Sequence, residues 1–195
     1  MRFWWLIFCL VISQSVNAGL ITSSIKDDEV IKANFVMEKF FITNGRLLKS
    51  SGESTISKKL GICWKITKPI KRTMLITSDS IFDLSSSKRD EIKNKDMLIE
   101  VLSTTFVDAL SNMDSKLYTH FEVINNYKDN KIFLRPKDPD IARLIFSINI
   151  VYNEEFIEEI QIVENTNSYT KLIFSNQALL TNPDLNAENY CSDGN

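Results

Sequence analysis

The chain has 195 residues, with 23 Lys and Arg against 25 Asp and Glu, a net charge of −2, and 44% hydrophobic residues. That balance gives no electrostatic basis for holding nucleic acid or an anionic membrane surface. With five Gly and four Pro in the whole chain, there is no Gly-rich phosphate loop, and dinucleotide and P-loop motifs are absent.

The first 18 residues, MRFWWLIFCLVISQSVNA, carry one positive charge at Arg2, an apolar run from Phe3 to Ile12 and a small-residue end at Ala18. This pattern predicts a secretory signal peptide cut after Ala18. The apolar run is about half of the roughly 20 residues that a bilayer-spanning helix needs. Cleavage would remove Arg2 and leave 22 basic against 25 acidic residues, a charge of −3. One domain over residues 19–180 is expected, followed by a polar tail over 181–195.

Residues 23–30 are polar, and a short helix around Asp27, Asp28 and Glu29 is expected there. From Ile31 the sequence alternates, with Ile31, Ala33, Phe35 and Met37 on one side and Lys32, Asn34 and Glu38 among those on the other, the mark of a half-buried strand. Asn44-Gly45 predicts a tight turn into a second strand from Leu47 to Ile56. Lys58, Lys59 and Gly61 mark the next turn. Ile62, Trp64 and Ile66 then alternate with Cys63, Lys65 and Thr67 in a third strand with a bulky apolar face, ended by Pro69. Further short strands are predicted at 73–78 and 81–84.

Over residues 94–111 the period changes. Leu98, Leu102, Phe106, Ala109 and Leu110 recur at helical spacing without Gly or Pro, which predicts an amphipathic helix. The two-residue period returns at Tyr118 with Thr119, Phe121 and Val123, then Ile132 and Leu134, then Leu144, Phe146, Ile148, Ile150 and Tyr152. Two more strands are predicted at 156–163 and 169–174, separated by the polar turn Asn165-Thr166-Asn167-Ser168. A meander of about nine strands, each with one apolar face, must close on itself or be covered by helix, because apolar area is worth about 25 cal/mol per Å2 when removed from water.

Two cysteines lie beyond the signal sequence, Cys63 and Cys191. In an oxidising compartment they can pair, or Cys63 can serve as a small buried apolar residue with Cys191 a free tail thiol; the count leaves both open. His120 is the single histidine and stands in no metal-ligand or nucleophile motif, and Glu154, Glu155, Glu158 and Glu159 read as solvated carboxylates. No catalytic residue, metal site or cofactor is therefore expected.

Phe35, Gly52, Trp64 and Pro69 follow one another at intervals of 17, 12 and 5 residues, and Phe133-Leu134-Arg135-Pro136-Lys137 follows further on. This order resembles the LolA family of periplasmic lipoprotein carriers, with a Phe-bearing first strand, a Gly in the second, a Trp-x4-Pro third strand and a later Leu-x-Pro-Lys strand end. The resemblance spans about residues 31–176. It implies a mainly β fold with a helical lid (α+β): an incomplete, strongly curved antiparallel barrel whose concave apolar face receives acyl chains. It implies a periplasmic protein, acting as a monomer and without catalysis. The carrier would take a lipoprotein or lipid from an inner-membrane release complex and hand it to an outer-membrane receptor.

On that resemblance the cavity residues are Phe35, Met37, Ile62, Trp64, Ile66, Phe146, Ile148 and Phe174, with Leu98, Leu102 and Phe106 on the lid. Two departures stand out. Lys58 occupies the position of a family arginine six residues before the Trp, and lacks its planar fork of donors; it is the candidate lid or headgroup contact. Met37 replaces a Gln of the first strand and suits an irregular apolar pocket. Both point to a different or broader lipid cargo, and the alternatives are an envelope binding module for another lipid or glycolipid, or one whose core is filled by its own side chains.

Overall fold

The computed structural model describes residues 25–77, 80–85, 90–92, 119–126, 129–181 and 190–191. They build eleven strands: β1 (Glu29–Phe41), β2 (Arg46–Ser57), β3 (Gly61–Lys68), β4 (Arg72–Ile76), β5 (Ile81–Asp83), β6 (Asp90–Glu91), β7 (Phe121–Asn126), β8 (Lys131–Pro136), β9 (Ile145–Tyr152), β10 (Ile157–Glu164) and β11 (Tyr169–Thr181). A short helix, α1 (Pro139–Ala142), lies between β8 and β9, with Asp138 as its N-cap accepting from the Asp140 N–H. The strands form one open antiparallel sheet in the order β6-β5-β4-β3-β2-β1-β11-β10-β9-β8-β7. Among the described strands the neighbours that are not consecutive in the chain are β1 and β11, so the strands run outward from β1 in one direction and return to it from the other.

Alternation decides which side chains share a face. On the inner face Ile31, Ala33 and Phe35 of β1 continue into Ile56 of β2, Ile62 and Trp64 of β3, Ile76 of β4, and across to Leu172 and Phe174 of β11, Ile160 and Ile162 of β10, Ile148 and Ile150 of β9, and Ile132 and Leu134 of β8. These residues form one buried cluster. The hairpin from β1 to β2 turns at Gly45, whose φ of 65° is the left-handed backbone that glycine adopts without steric cost. Asn44 adds its side-chain carbonyl as acceptor for the Arg46 N–H at 3.0 Å.

The opposite face mixes polar side chains with apolar ones, among them the neighbours Val36 and Ile173 and the stacked Phe40 and Tyr169. Cys63, Leu75 and Phe82 stand side by side on β3, β4 and β5, and with Val30 and Tyr190 they make a second apolar cluster. The chain near its end is held there by a disulfide between Cys63 and Cys191. The buried Tyr190 hydroxyl lies 2.8 Å from the Thr55 carbonyl and 2.6 Å from the Gly61 carbonyl. Burial pushes its phenol well above its usual range.

Three expectations change. At the N-terminal end of the described chain, Asp27 and Asp28 form a turn and β1 begins at Glu29; the Glu29 carboxylate accepts from the Lys26 N–H at 2.9 Å and caps that turn in place of a helix. The sheet has eleven strands rather than about nine; of the additional ones, β6 is two residues long and carries no apolar alternation. Phe146 is 62% exposed and lies off the inner face. Its register explains why: Ser147 pairs with Val163 but Ile145 pairs with Glu164, so Phe146 is the extra residue of a β-bulge. The bulge puts Ile145 and Ile148 inside and turns the intervening ring outward.

Candidate functional site

The centre of the inner face is aromatic. Phe35 and Trp64 stack with ring centroids 4.0 Å apart and planes at 30°, and Phe174 meets Trp64 edge-on at 6.3 Å and 89°. Phe35 and Phe174 are directly opposed on β1 and β11. Trp64, however, is two strands away from Phe35, with β2 between them. The β2 positions that lie between are Gly52, opposite Phe35, and Ser54, opposite Trp64. Their small size leaves the space above β2 for two large rings to lean together. Gly52 is also required by the backbone: a Cβ there would fall 1.8 Å from the Lys65 carbonyl oxygen.

From this floor the face opens in one direction. Along β1 burial falls from Phe35 to the half-buried Met37; along β3 from Trp64 to Ile66; along β4 from Ile76 to Met74. At the same end of β11, β10 and β9, Thr170, Ile162 and Ile145 stay buried. The opening thus lies over β1 to β4, and two methionines with flexible, polarizable side chains border it.

The border is polar and carries two ion pairs. Lys39 of β1 pairs with Glu164 at the end of β10. Arg72 of β4 pairs with Asp83 of β5 at 3.0 Å. The Ser85 hydroxyl and N–H, and then the Arg72 guanidinium, hold the Asp83 carboxyl below the usual carboxylate range. Between these pairs lie Ser50 and Thr170, whose hydroxyls are buried and without a hydrogen-bond partner among the described residues. Sequence reasoning passed over both. The available signal was parity: Ser50 shares the inward register of Ser54 and Ile56, and Thr170 that of Leu172 and Phe174.

The structure brings Phe35, Met37, Ile62, Trp64, Ile66, Ile148 and Phe174 onto one face. Phe146 is not among them. Lys58 lies in the turn between β2 and β3, half-buried, beyond the Ile56 and Ile62 end of those strands and away from the Met37 and Ile66 opening. Leu98, Leu102 and Phe106, with the predicted helix 94–111, fall outside the described residues, as do residues 1–24. His120 sits 3.6 Å from the Asp138 carboxylate at the start of α1. Among the described residues no group of three or more His, Cys, Asp and Glu is placed to hold a metal ion, and no helix is long and apolar enough to cross a membrane.

A separate cleft of about 510 Å3 opens where β11 leaves β10. Pairing of the two strands reaches no further than Glu159 with Ile173, and Asn176 takes a left-handed φ of 52° in the bulge beyond. Gln177 spans the gap by donating to the Ile157 carbonyl at 2.8 Å.

No family model matches the sequence, and no curated protein matches it. Among solved structures the chain is similar to a LolA superfamily protein from Nitrosomonas europaea, at 9% identity and a TM-score of 0.48, over 84% of this chain and 90% of that one. It is similar to a DUF1329 family protein from Desulfovibrio piger at 10% identity and 0.43, over 86% and 90%. A third likeness, at 9% identity and 0.43, is to the Pseudomonas aeruginosa MucA/MucB complex, of which 56% of the matched chain is covered.

Proposed function

We propose that this protein is a LolA-like carrier of the cell envelope that binds acyl chains of a lipid or lipoprotein on its inner face and moves them through the periplasm without catalysis. The observation that carries the reading is the apolar face centred on Phe35, Trp64 and Phe174, half-open at Met37, Ile66 and Met74. An acyl chain is matched by such a surface because each buried CH2 gains about 0.8 kcal/mol without any directional partner. The order Phe35, Gly52, Trp64, Pro69 supports the family, since Gly52 is what lets the two rings meet. On this reading the sheet is a half-barrel, residues 94–111 with Leu98, Leu102 and Phe106 form its lid, residues 1–18 are the export signal, and Lys58 contacts the lid. Cargo would pass from an inner-membrane release complex to an outer-membrane receptor. Release requires the covered and open states to lie close in free energy, so that ligand shifts their populations.

Mass spectrometry of lipid extracted from the purified protein tests the reading, together with Trp64 emission during delipidation and reloading. Co-purified acyl lipid and a Trp64 shift are expected; an empty protein whose emission is unmoved by saturating lipid would overturn it.

A second reading is favoured by the near-complete burial of Ile132, Leu134, Ile148 and Ile150 on the β8 to β9 side. There the face is filled by its own side chains, as in an envelope binding module without lipid cargo. The same extraction separates the two.

A further inference from the structure

Among the described residues, the two buried side-chain polar atoms that lack a hydrogen-bond partner are Ser50 Oγ and Thr170 Oγ1. A buried hydroxyl without a partner costs about 1–3 kcal/mol, so native proteins carry few of them and each calls for an explanation. These two are not scattered. Ser50 is directly opposite Met37, and Thr170 directly opposite Lys39, so they flank β1 from its two sides on one face. Ser50 is level with the half-buried Met37, and Thr170 with Lys39 at the polar border. Thr170 is only 4% exposed.

We propose that Ser50 and Thr170 donate hydrogen bonds to the ester carbonyls of an uncharged glycerolipid, anchoring its head at the open end while its chains run toward Phe35 and Trp64. The inference rests on the lipid-carrier reading and names the class of lipid. Two hydroxyl donors on the two sides of one strand match two carbonyl acceptors on one glycerol. Charge beside the hydroxyls argues for neutrality: Lys39, directly opposite Thr170, is already neutralised by Glu164. A fatty-acid carboxylate or a phosphate would meet the Glu164 carboxylate or displace it.

The test compares dioctanoylglycerol, dioctanoyl phosphatidate, octanoate and decane binding to the purified chain, read by Trp64 emission and independently by native mass spectrometry. Dioctanoylglycerol is expected to bind at least about tenfold tighter than either anion. Thr170→Val and Ser50→Ala each remove one donor, and each is expected to weaken dioctanoylglycerol by about fivefold, the worth of one net hydrogen bond. Decane uptake should be unchanged in both. Neither variant removes a partnered group, so thermal midpoints should hold or rise, which keeps folding out of the comparison. Equal affinity for the ester and the anions overturns the proposal, as does a loss of decane and dioctanoylglycerol in equal measure, which would make the hydroxyls packing groups only. Uptake of the hydrocarbon without preference for the ester leaves the carrier reading standing and this one refuted; uptake of none of the four probes refutes both.

Discussion

The rings of Phe35 and Trp64 are in van der Waals contact although strand β2 separates their backbones. Strands two apart in a sheet are about 10 Å from each other, so the contact exists only because Gly52 and Ser54 leave the intervening surface bare. Gly52 has a second duty, since the β3 backbone at Lys65 occupies the place of its missing Cβ. Gly52→Ala is therefore expected to push β2 from β3 and to destabilise the fold by about 3 kcal/mol, the upper end of the range for overpacked sites. Gly45→Ala is the control: nothing lies within 4 Å of its Cβ, but φ is 65°, so the cost should be about 1 kcal/mol, from strain alone. Urea unfolding midpoints rank the two; a Gly52→Ala protein as stable as the Gly45→Ala one would refute the close-approach account.

Phe146 and Ile148 are two residues apart and would share a face in a regular strand. The bulge at Phe146 separates them. Ile148→Ala should cost about 2–4 kcal/mol as a large-to-small change in a packed core, whereas Phe146→Ser should stay within about 0.5 kcal/mol as a surface change. Comparable losses for both substitutions would mean that β9 lies in the regular register after all.

These two residues also mark the boundary of what the sequence discloses. Alternation located β1, β2, β3 and β8 and the inner face at Phe35, Ile62, Trp64, Ile148 and Phe174, because a half-buried strand imposes its period on the residues themselves. A bulge leaves no such trace: Phe146 has the parity, size and apolarity of an inward residue, and only pairing with Glu164 and Val163 shows otherwise. Whether Cys63 and Cys191 pair was equally out of reach, since they lie 128 residues apart and local pattern says nothing of long-range closure. Ser50 and Thr170 have inward parity but carry no signal of their own in the sequence, because their lack of partners is a property of the packed sheet. Two-residue β6 lies below the length at which any period can be seen.

The phenol of Tyr190 gives a signature at high pH. Burial raises its pKa above the ordinary tyrosine value near 10, so the folded state favours the protonated form. Its contribution to stability is complete below about pH 10, the unfolded value, and falls as pH rises beyond it. Absorbance near 295 nm, followed with circular dichroism, should show one tyrosine ionising only as the structure is lost. Tyr190→Phe should abolish that late step and cost about 1 kcal/mol at neutral pH for the hydrogen bonding to Thr55 and Gly61. A Tyr190 that titrates freely in the folded protein would contradict its burial.

The bridge between Cys63 and Cys191 closes a loop of 128 residues, long enough for the restriction of the unfolded chain to be worth about 4–5 kcal/mol on the entropic model, with about 2–5 kcal/mol typical of measured losses. Reduction should lower the unfolding midpoint accordingly. It should also free the segment bearing Tyr190 from the row formed by Cys63, Leu75 and Phe82, raising the exposure of that outer patch. The inner face lies on the other side of β3, so Trp64 emission should be little changed at temperatures where the reduced protein remains folded. Hydrogen exchange at β3 to β5, with and without reductant, checks both halves of this expectation. Faster exchange there with constant Trp64 emission is the expected pair. A reduced protein with an unchanged midpoint and unchanged exchange would mean that Tyr190, through its two carbonyl contacts and apolar neighbours, holds the chain end in place without the bridge.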